Sequence, residues 1–386
     1  MNRKINIVNN IVLLAATLAG ILAVTLVGND KYPADLGMFI LYCVLGAIFW
    51  AAVNLAVHEW GHARAAKRNG FKVLSVRLAF FLFTRENGKR KVRLTGYNGE
   101  AGATEIVPEN AENLAERFAR VTRAGVYGNV VLLVVSVVPL FLTKFLPFWA
   151  YSLWAIALPI CLYFVLGNGL PMTTDGIKND AAVALGVKKG EASEKVVLGL
   201  LQIHAELIAG KSPAQIDERL YFDLPQLPED DLNYLFLLNA RYAYYLDKED
   251  YENAKTVSDR LEGLLDTMPK CYRPAVRADL LYNACTFAYN ESEADNLVED
   301  NEKYLNRAAD VSTLRVKAAY VLYVLKDAAQ AEKFIGYAEE LSEDCKVAGQ
   351  KLFEEKLLAK MKADVQTAPP AEEDRAAEEE QKEDKE

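Results

Sequence analysis

Histidine is scarce in this chain: 386 residues contain three, His58, His62 and His204. The five cysteines, Cys43, Cys161, Cys271, Cys285 and Cys345, are scattered without paired metal spacing. That argues against a cysteine-based zinc finger and reads as reduced packing residues. A glycine-rich phosphate-binding loop is missing, and so is any cationic excess. Lysine and arginine number 44 against 53 acidic residues, a net charge of -9, which speaks against a nucleic-acid partner. Long apolar runs are also absent after residue 166. All of them lie before it, at residues 7–27, 36–57, 124–142 and 148–166. A chain that is 52% hydrophobic and yet strongly acidic therefore divides into an apolar first half and a charged second half.

Two of the three histidines fall in one motif, His58-Glu59-Trp60-Gly61-His62, directly after the run 36–57. On a helix, residues four apart share a face, so both imidazoles can hold one metal ion while Glu59 stands beside it as a base. The approach to the motif carries about twenty uncharged residues, enough to cross a bilayer core of ~30 Å at ~1.5 Å per residue. The metal is expected in or just under a membrane. His204 lies on an apolar helical stretch, 196–209, and reads as a packing residue.

A third ligand is expected where the run 150–166 breaks into Gly167-Asn168-Gly169-Leu170-Pro171-Met172-Thr173-Thr174-Asp175-Gly176. Catalytic zinc usually takes three protein ligands and keeps a fourth position for water, and His58, His62 and Asp175 make such a set. The plainer reading of Asp175-Gly176 is a turn after a transmembrane helix.

His58-Glu59-Trp60-Gly61-His62, then Gly125-Val126-Tyr127-Gly128-Asn129, then Asn168-x-x-Pro171 followed by Asp175-Gly176 resemble the site-2 protease family of intramembrane zinc metalloproteases over roughly residues 36–180. The resemblance implies one Zn2+ per chain held by His58, His62 and Asp175, with Glu59 as catalytic base and Asn129 and Asn168 lining or supporting the substrate groove. It implies hydrolysis of peptide bonds in membrane-spanning protein substrates near the cytoplasmic face. One departure concerns the spacer Met172-Thr173-Thr174, which is short and lacks the further proline of many members. The alternative is a catalytically inactive membrane-anchored scaffold acting through its helical half, and the intact Glu59 argues against it. A channel or transporter would need repeated transmembrane halves, which the sequence lacks.

The fold expected is mainly α: about four transmembrane helices (7–27, 36–62, 124–142, 148–167) in a domain 1–185, with a small β insertion at 71–107, followed by a soluble all-helical repeat-like domain at 190–365. Arg3 and Lys4 before the first run suit a signal peptide, but its length and the missing cleavage pattern favour an uncleaved anchor. Arg64, Lys67, Arg68, Lys72, Arg77, Arg85, Lys89, Arg90, Lys91 and Arg93 follow the motif, whereas the loop after the first run has only Lys31 against Asp30 and Asp35. The positive-inside bias puts the basic loop and both termini in the cytoplasm, and an integral protein of a bacterial cytoplasmic membrane is expected. In the insertion, Val73, Ser75, Arg77 and Ala79 alternate, Glu86-Asn87-Gly88-Lys89 reads as a turn, and Lys91 to Leu94 alternate again before Ala103 to Val107, which predicts a small sheet; the resemblance implies a free sheet edge that takes unwound substrate as an extra strand.

Amphipathic segments at 232–246, 251–265, 278–289, 295–308, 314–325 and 329–341 pair naturally into helical hairpins. Ala240, Tyr242, Ala243, Tyr244, Tyr251 and Ala254 give them a loose likeness to tetratricopeptide repeats, with a protein or peptide partner expected. The other reading is a helical bundle that only stabilises the protein. Residues 366–386 hold nine acidic and three basic side chains and are expected to form a disordered, solvating tail.

Overall fold

The computed structural model describes residues 3–27, 36–86, 89–95, 101–174, 177–307 and 310–367, so Asp175, the Asn87-Gly88 turn and the tail after Thr367 lie outside the described residues. The protein is mainly helical with a small sheet. It divides into two compact units, Met1–Leu198 and Gly199–Glu386.

The first unit contains helices α1 (Arg3–Val27) and α2 (Leu36–Arg68), strands β1 (Phe71–Leu78), β2 (Phe81–Glu86), β3 (Lys89–Leu94) and β4 (Gly102–Pro108), and helices α3 (Leu114–Ser136), α4 (Val138–Phe141), α5 (Phe148–Ala155) and α6 (Ala157–Gly169). The short strands β5 (Thr173–Thr174) and β6 (Ile177–Lys178) and helices α7 (Asp180–Lys189) and α8 (Ala192–Ile208) follow. The division between the units falls inside α8, whereas composition alone changes near 185–190.

Among the described residues, four stretches are long and apolar enough to cross a membrane: Lys4–Val27, Ile40–Arg68, Leu114–Phe141 and Phe148–Gly169. Their outer faces keep large apolar side chains uncovered, among them Ile11, Leu18, Ile48, Val131 and Val134. Runs 124–142 and 148–167, each expected as one helix, break after Ser136 and Ala155. Pro139 and Pro159 lie just past the breaks, and a proline has no N–H to donate to the carbonyl four residues back.

Helix α2 carries the His-Glu-x-x-His motif in its interior and ends where Gly70 turns into the left-handed region (φ 69°), which only a residue without Cβ adopts freely. The chain then forms an antiparallel sheet in the order β3-β2-β1-β4. Glu86 pairs with Lys89 where β2 ends and β3 begins. Phe71 at the start of β1 is buried against Phe118 of α3, with ring centroids 6.5 Å apart. Arg117 of α3 donates to the carbonyls of Asn69 and Gly70 and lies over the Phe71 ring. Helix α3 begins at Leu114, ten residues before its apolar run, because Leu114, Phe118 and Val121 give its charged first turns a buried face. It packs along α2, α6 and α7, while α1 packs on α6.

The second unit contains α9 (Arg219–Phe222), α10 (Leu232–Asp247), α11 (Tyr251–Gly263), α12 (Arg273–Cys285), α13 (Glu291–Arg307), α14 (Val311–Tyr323), α15 (Ala328–Ser342) and α16 (Ala348–Thr367). Helices α10 and α11, α12 and α13, and α14 and α15 pack as neighbours, and α16 covers α14 and α15. Asp231, Asp250, Asp310 and Asp327 each cap a helix with a side-chain oxygen, a contact worth ~1 kcal/mol apiece. At the centre the 2% exposed Arg315 donates to Glu354 of α16 at 2.6 Å and lies over the Tyr282 ring.

Candidate metal centre

Where α2 passes α3, His58 and His62 turn their Nε2 atoms toward each other, 3.0 Å apart. Asp180, the first residue of α7, places Oδ2 2.9 Å from His58 Nε2 and 3.2 Å from His62 Nε2. These residues form a cluster that could hold a metal ion.

The rest of each imidazole fixes its chemistry. Nδ1 of His58 faces Asn129 Oδ1 at 2.6 Å, and Nδ1 of His62 faces the Val121 carbonyl at 2.8 Å. Asn129 already donates its amide to Asn54 O and Oδ1, both at 3.0 Å, so its oxygen must accept from His58. Both Nδ1 atoms therefore carry the hydrogen, and both Nε2 atoms present lone pairs to one another and to a carboxylate oxygen. Such a cluster could hold a cation at its centre. Tetrahedral zinc with bonds of ~2.0–2.1 Å to nitrogen would set its ligand atoms ~3.3 Å apart, close to the spacing found. Gly125 of α3 backs the same space: a Cβ there would lie 2.5 Å from His62 Nε2 and 2.7 Å from His58 Nε2. Oδ2 of Asp180 is buried without a hydrogen-bond partner, as a carboxylate oxygen facing two bare imidazole nitrogens must be.

Glu59, 5% exposed, stands one residue along the helix. Its Oε2 accepts from Thr104 Oγ1 of β4 at 2.6 Å. Its Oε1 lies against Gly102, where a Cβ would come within 2.5 Å. β4 is one of the two edge strands of the sheet, so a strand edge and the candidate base meet at one place.

Asp180 is delivered by its neighbour. Asn179 caps α7 by accepting from Ala182 N with Oδ1, which also accepts from Met172 N, while its amide donates to the carbonyls of Gly167 and Leu170 at the end of α6. From the other side, Asn6 of α1 donates to Thr173 O at 2.8 Å and accepts from Thr173 N at 2.9 Å, and Asn9 donates to Pro171 O at 2.7 Å. The loop between α6 and α7 is thus tied at both faces.

Of the residues singled out from sequence, His58, Glu59, His62 and Asn129 meet at this centre. Asn168 does not: its amide donates to Phe164 O of its own helix at 3.2 Å. Asp175 lies outside the described residues, and the carboxylate found between the imidazoles is Asp180. Sequence reasoning also passed over Asn54, Thr104, Asn179, Asn6 and Asn9. Asn179-Asp180 before Ala181-Ala182-Val183 is a helix-start signal, and it was the one available pointer to the second carboxylate.

Asn129→Ala is expected to weaken metal binding ~10–100-fold while the protein folds and inserts, because losing an outer partner frees the imidazole to rotate and shift tautomer. Zinc retention against a graded series of chelators measures it, and unchanged retention would show that Asn129 does not orient His58.

No protein-family model matches this chain, and neither a curated protein nor a solved structure does.

Proposed function

We propose that this chain is an intramembrane zinc metalloprotease of the site-2 kind, cutting membrane-spanning protein substrates near the cytoplasmic face. The observation that carries the reading is the meeting of His58 Nε2, His62 Nε2 and Asp180 Oδ2 beside a buried Glu59, on a helix apolar enough to cross a membrane. His58, His62 and Asp180 would hold the zinc. The ion would supply Lewis acidity toward the scissile carbonyl and would lower the pKa of water toward ~7.

The chain's own groups do the rest. Glu59 takes a proton from the attacking water and returns it to the leaving amine. Thr104 occupies Oε2, which leaves Oε1 as the oxygen free for that transfer. Asn129 and the Val121 carbonyl keep both imidazoles in the ligating tautomer. A transmembrane helix has every carbonyl bonded internally and must unwind before one can be attacked. The edge of β4 beside Glu59 offers such an unwound segment backbone partners, as strand addition does elsewhere. The helical second unit then recruits substrate or regulates cleavage, through a protein or peptide partner.

Metal removal tests this directly. Protein purified from membranes is expected to contain one zinc per chain, to lose cleavage of a membrane substrate under a strong chelator, and to regain it with added zinc. Full activity after the metal is stripped would sink the reading.

A further inference from the structure

The second unit has a cavity of about 490 Å³ that the proposed chemistry does not use. Its walls come from α11, α12, α14 and α16 and the turns after α12 and α14. Aromatic rings dominate it: Tyr251 and Phe287 are stacked at 4.9 Å, and Tyr289 and Tyr323 stand nearby. Two exposed lysines complete the lining. Lys360 Nζ lies 4.8 Å over the Tyr251 ring, and Lys326 Nζ lies 5.5 Å over the Tyr289 ring. Their hydrogen bonds go to the Tyr251 hydroxyl and the Tyr323 carbonyl. Among the described residues, no carboxylate comes within ion-pair distance of either ammonium. Asp364, the acidic group of the lining, accepts instead from the Tyr323 hydroxyl.

The segment that follows α16 has the complementary chemistry. Met361 and Asp364 line the cavity from the last turns of α16, which ends at Thr367. Pro369 and Pro370 come next, then Glu372-Glu373-Asp374 and Glu378-Glu379-Glu380. An extended chain reaches ~3.3 Å per residue, so the prolines can lie within ~20 Å of Asp364 and the first acidic run a few residues further. Aromatic grooves bind proline-rich segments because the polyproline conformation has little entropy left to lose, and unpaired lysines over rings attract carboxylates.

We propose that this cavity is the docking site of the chain's own segment 368–386, with Pro369 and Pro370 on the rings of Tyr251, Phe287 and Tyr289 and the following acidic run on Lys326 and Lys360. The tail then acts as a tethered competitor for any acidic, proline-containing partner of the helical unit. Tethering over so short a link gives an effective concentration in the millimolar range, so the interaction holds even where the free peptide binds weakly.

The test is binding, independent of any proteolysis. A fluorescent peptide of residues 366–386 is titrated, in detergent micelles, onto the full chain and onto a chain ending at Thr367. The shortened chain should bind it saturably, and the full chain at least tenfold more weakly because its site is filled in cis. Lys326→Glu with Lys360→Glu in the shortened chain should cut affinity tenfold or more, and the milder Lys326→Gln with Lys360→Gln should cut it by less. No binding by the shortened chain at millimolar peptide overturns the proposal. So does equal binding by both chains, which marks the cavity as open to a partner in trans, or binding indifferent to the lysines.

Discussion

Glu59→Gln protein is expected to keep its zinc in full and to lose cleavage by ~100- to 10,000-fold, the span that a positioned general base contributes. Glutamine preserves the shape of the side chain and can still accept the Thr104 hydroxyl, so the contact between α2 and β4 survives. What it cannot do is take a proton from water at neutral pH. Metal content and turnover must therefore separate in this variant, whereas any ligand substitution lowers both. Cleavage at the wild-type rate by zinc-loaded Glu59→Gln protein would remove Glu59 from the chemistry. The variant also serves as a trap: comparing membrane proteomes of cells with wild-type and Glu59→Gln protein should reveal substrates that accumulate uncut.

Much of the first unit was legible because one simple constraint writes it. A helix that carries two imidazoles on one face and no charge for five turns has few alternatives, and α2 could be read almost to its end at Arg68. β2 was not read as a strand, whereas the start of β3 was equally plain from the turn signal at Glu86-Asn87-Gly88-Lys89 and the alternation after it. The start of α3 was not, since Glu116, Arg117, Arg120 and Arg123 hide an apolar face that only β1 and α2 make sense of. The same holds for α16. Its Phe353, Leu357, Leu358 and Met361 are buried, yet they are interleaved with lysines and glutamates that mask the period. The breaks at Ser136 and Ala155 were visible in Pro139 and Pro159 but outweighed by the length of the apolar runs.

The supporting asparagines were illegible for a different reason. Asn54 and Asn129 meet across two helices, and Asn6 reaches Thr173 across 167 residues of sequence. No local pattern encodes a contact of that separation. What the chain does advertise is residue type: fully buried asparagines are costly unless every donor and acceptor is met. An asparagine inside an apolar helical run, as Asn54 is, therefore signals a polar network whose far end the sequence does not name.

The two carboxylates Asp175 and Asp180 make the sharpest remaining test. Family resemblance points to Asp175, and the geometry points to Asp180, which sits at the N-terminus of α7 where a carboxylate is favoured by the helix dipole and where the Asn179 cap and the ties to Gly167 and Leu170 fix its direction. Asp180→Ala removes one of three ligand atoms and leaves two lone pairs facing an open space. Its zinc affinity should fall by more than the ~10–100-fold typical of losing an outer partner, and activity should fall with it. Asp175→Ala should keep its zinc to within about threefold, with Asn179→Ala between the two because Asp180 stays present but unheld. Zinc content of the purified variants, measured after dialysis against a graded chelator, ranks all three. Should Asp175→Ala lose the metal while Asp180→Ala retains it, the ligand is the earlier carboxylate. Asp180 would then be a charge partner of the imidazoles, and the route by which α7 reaches the site would carry no chemistry.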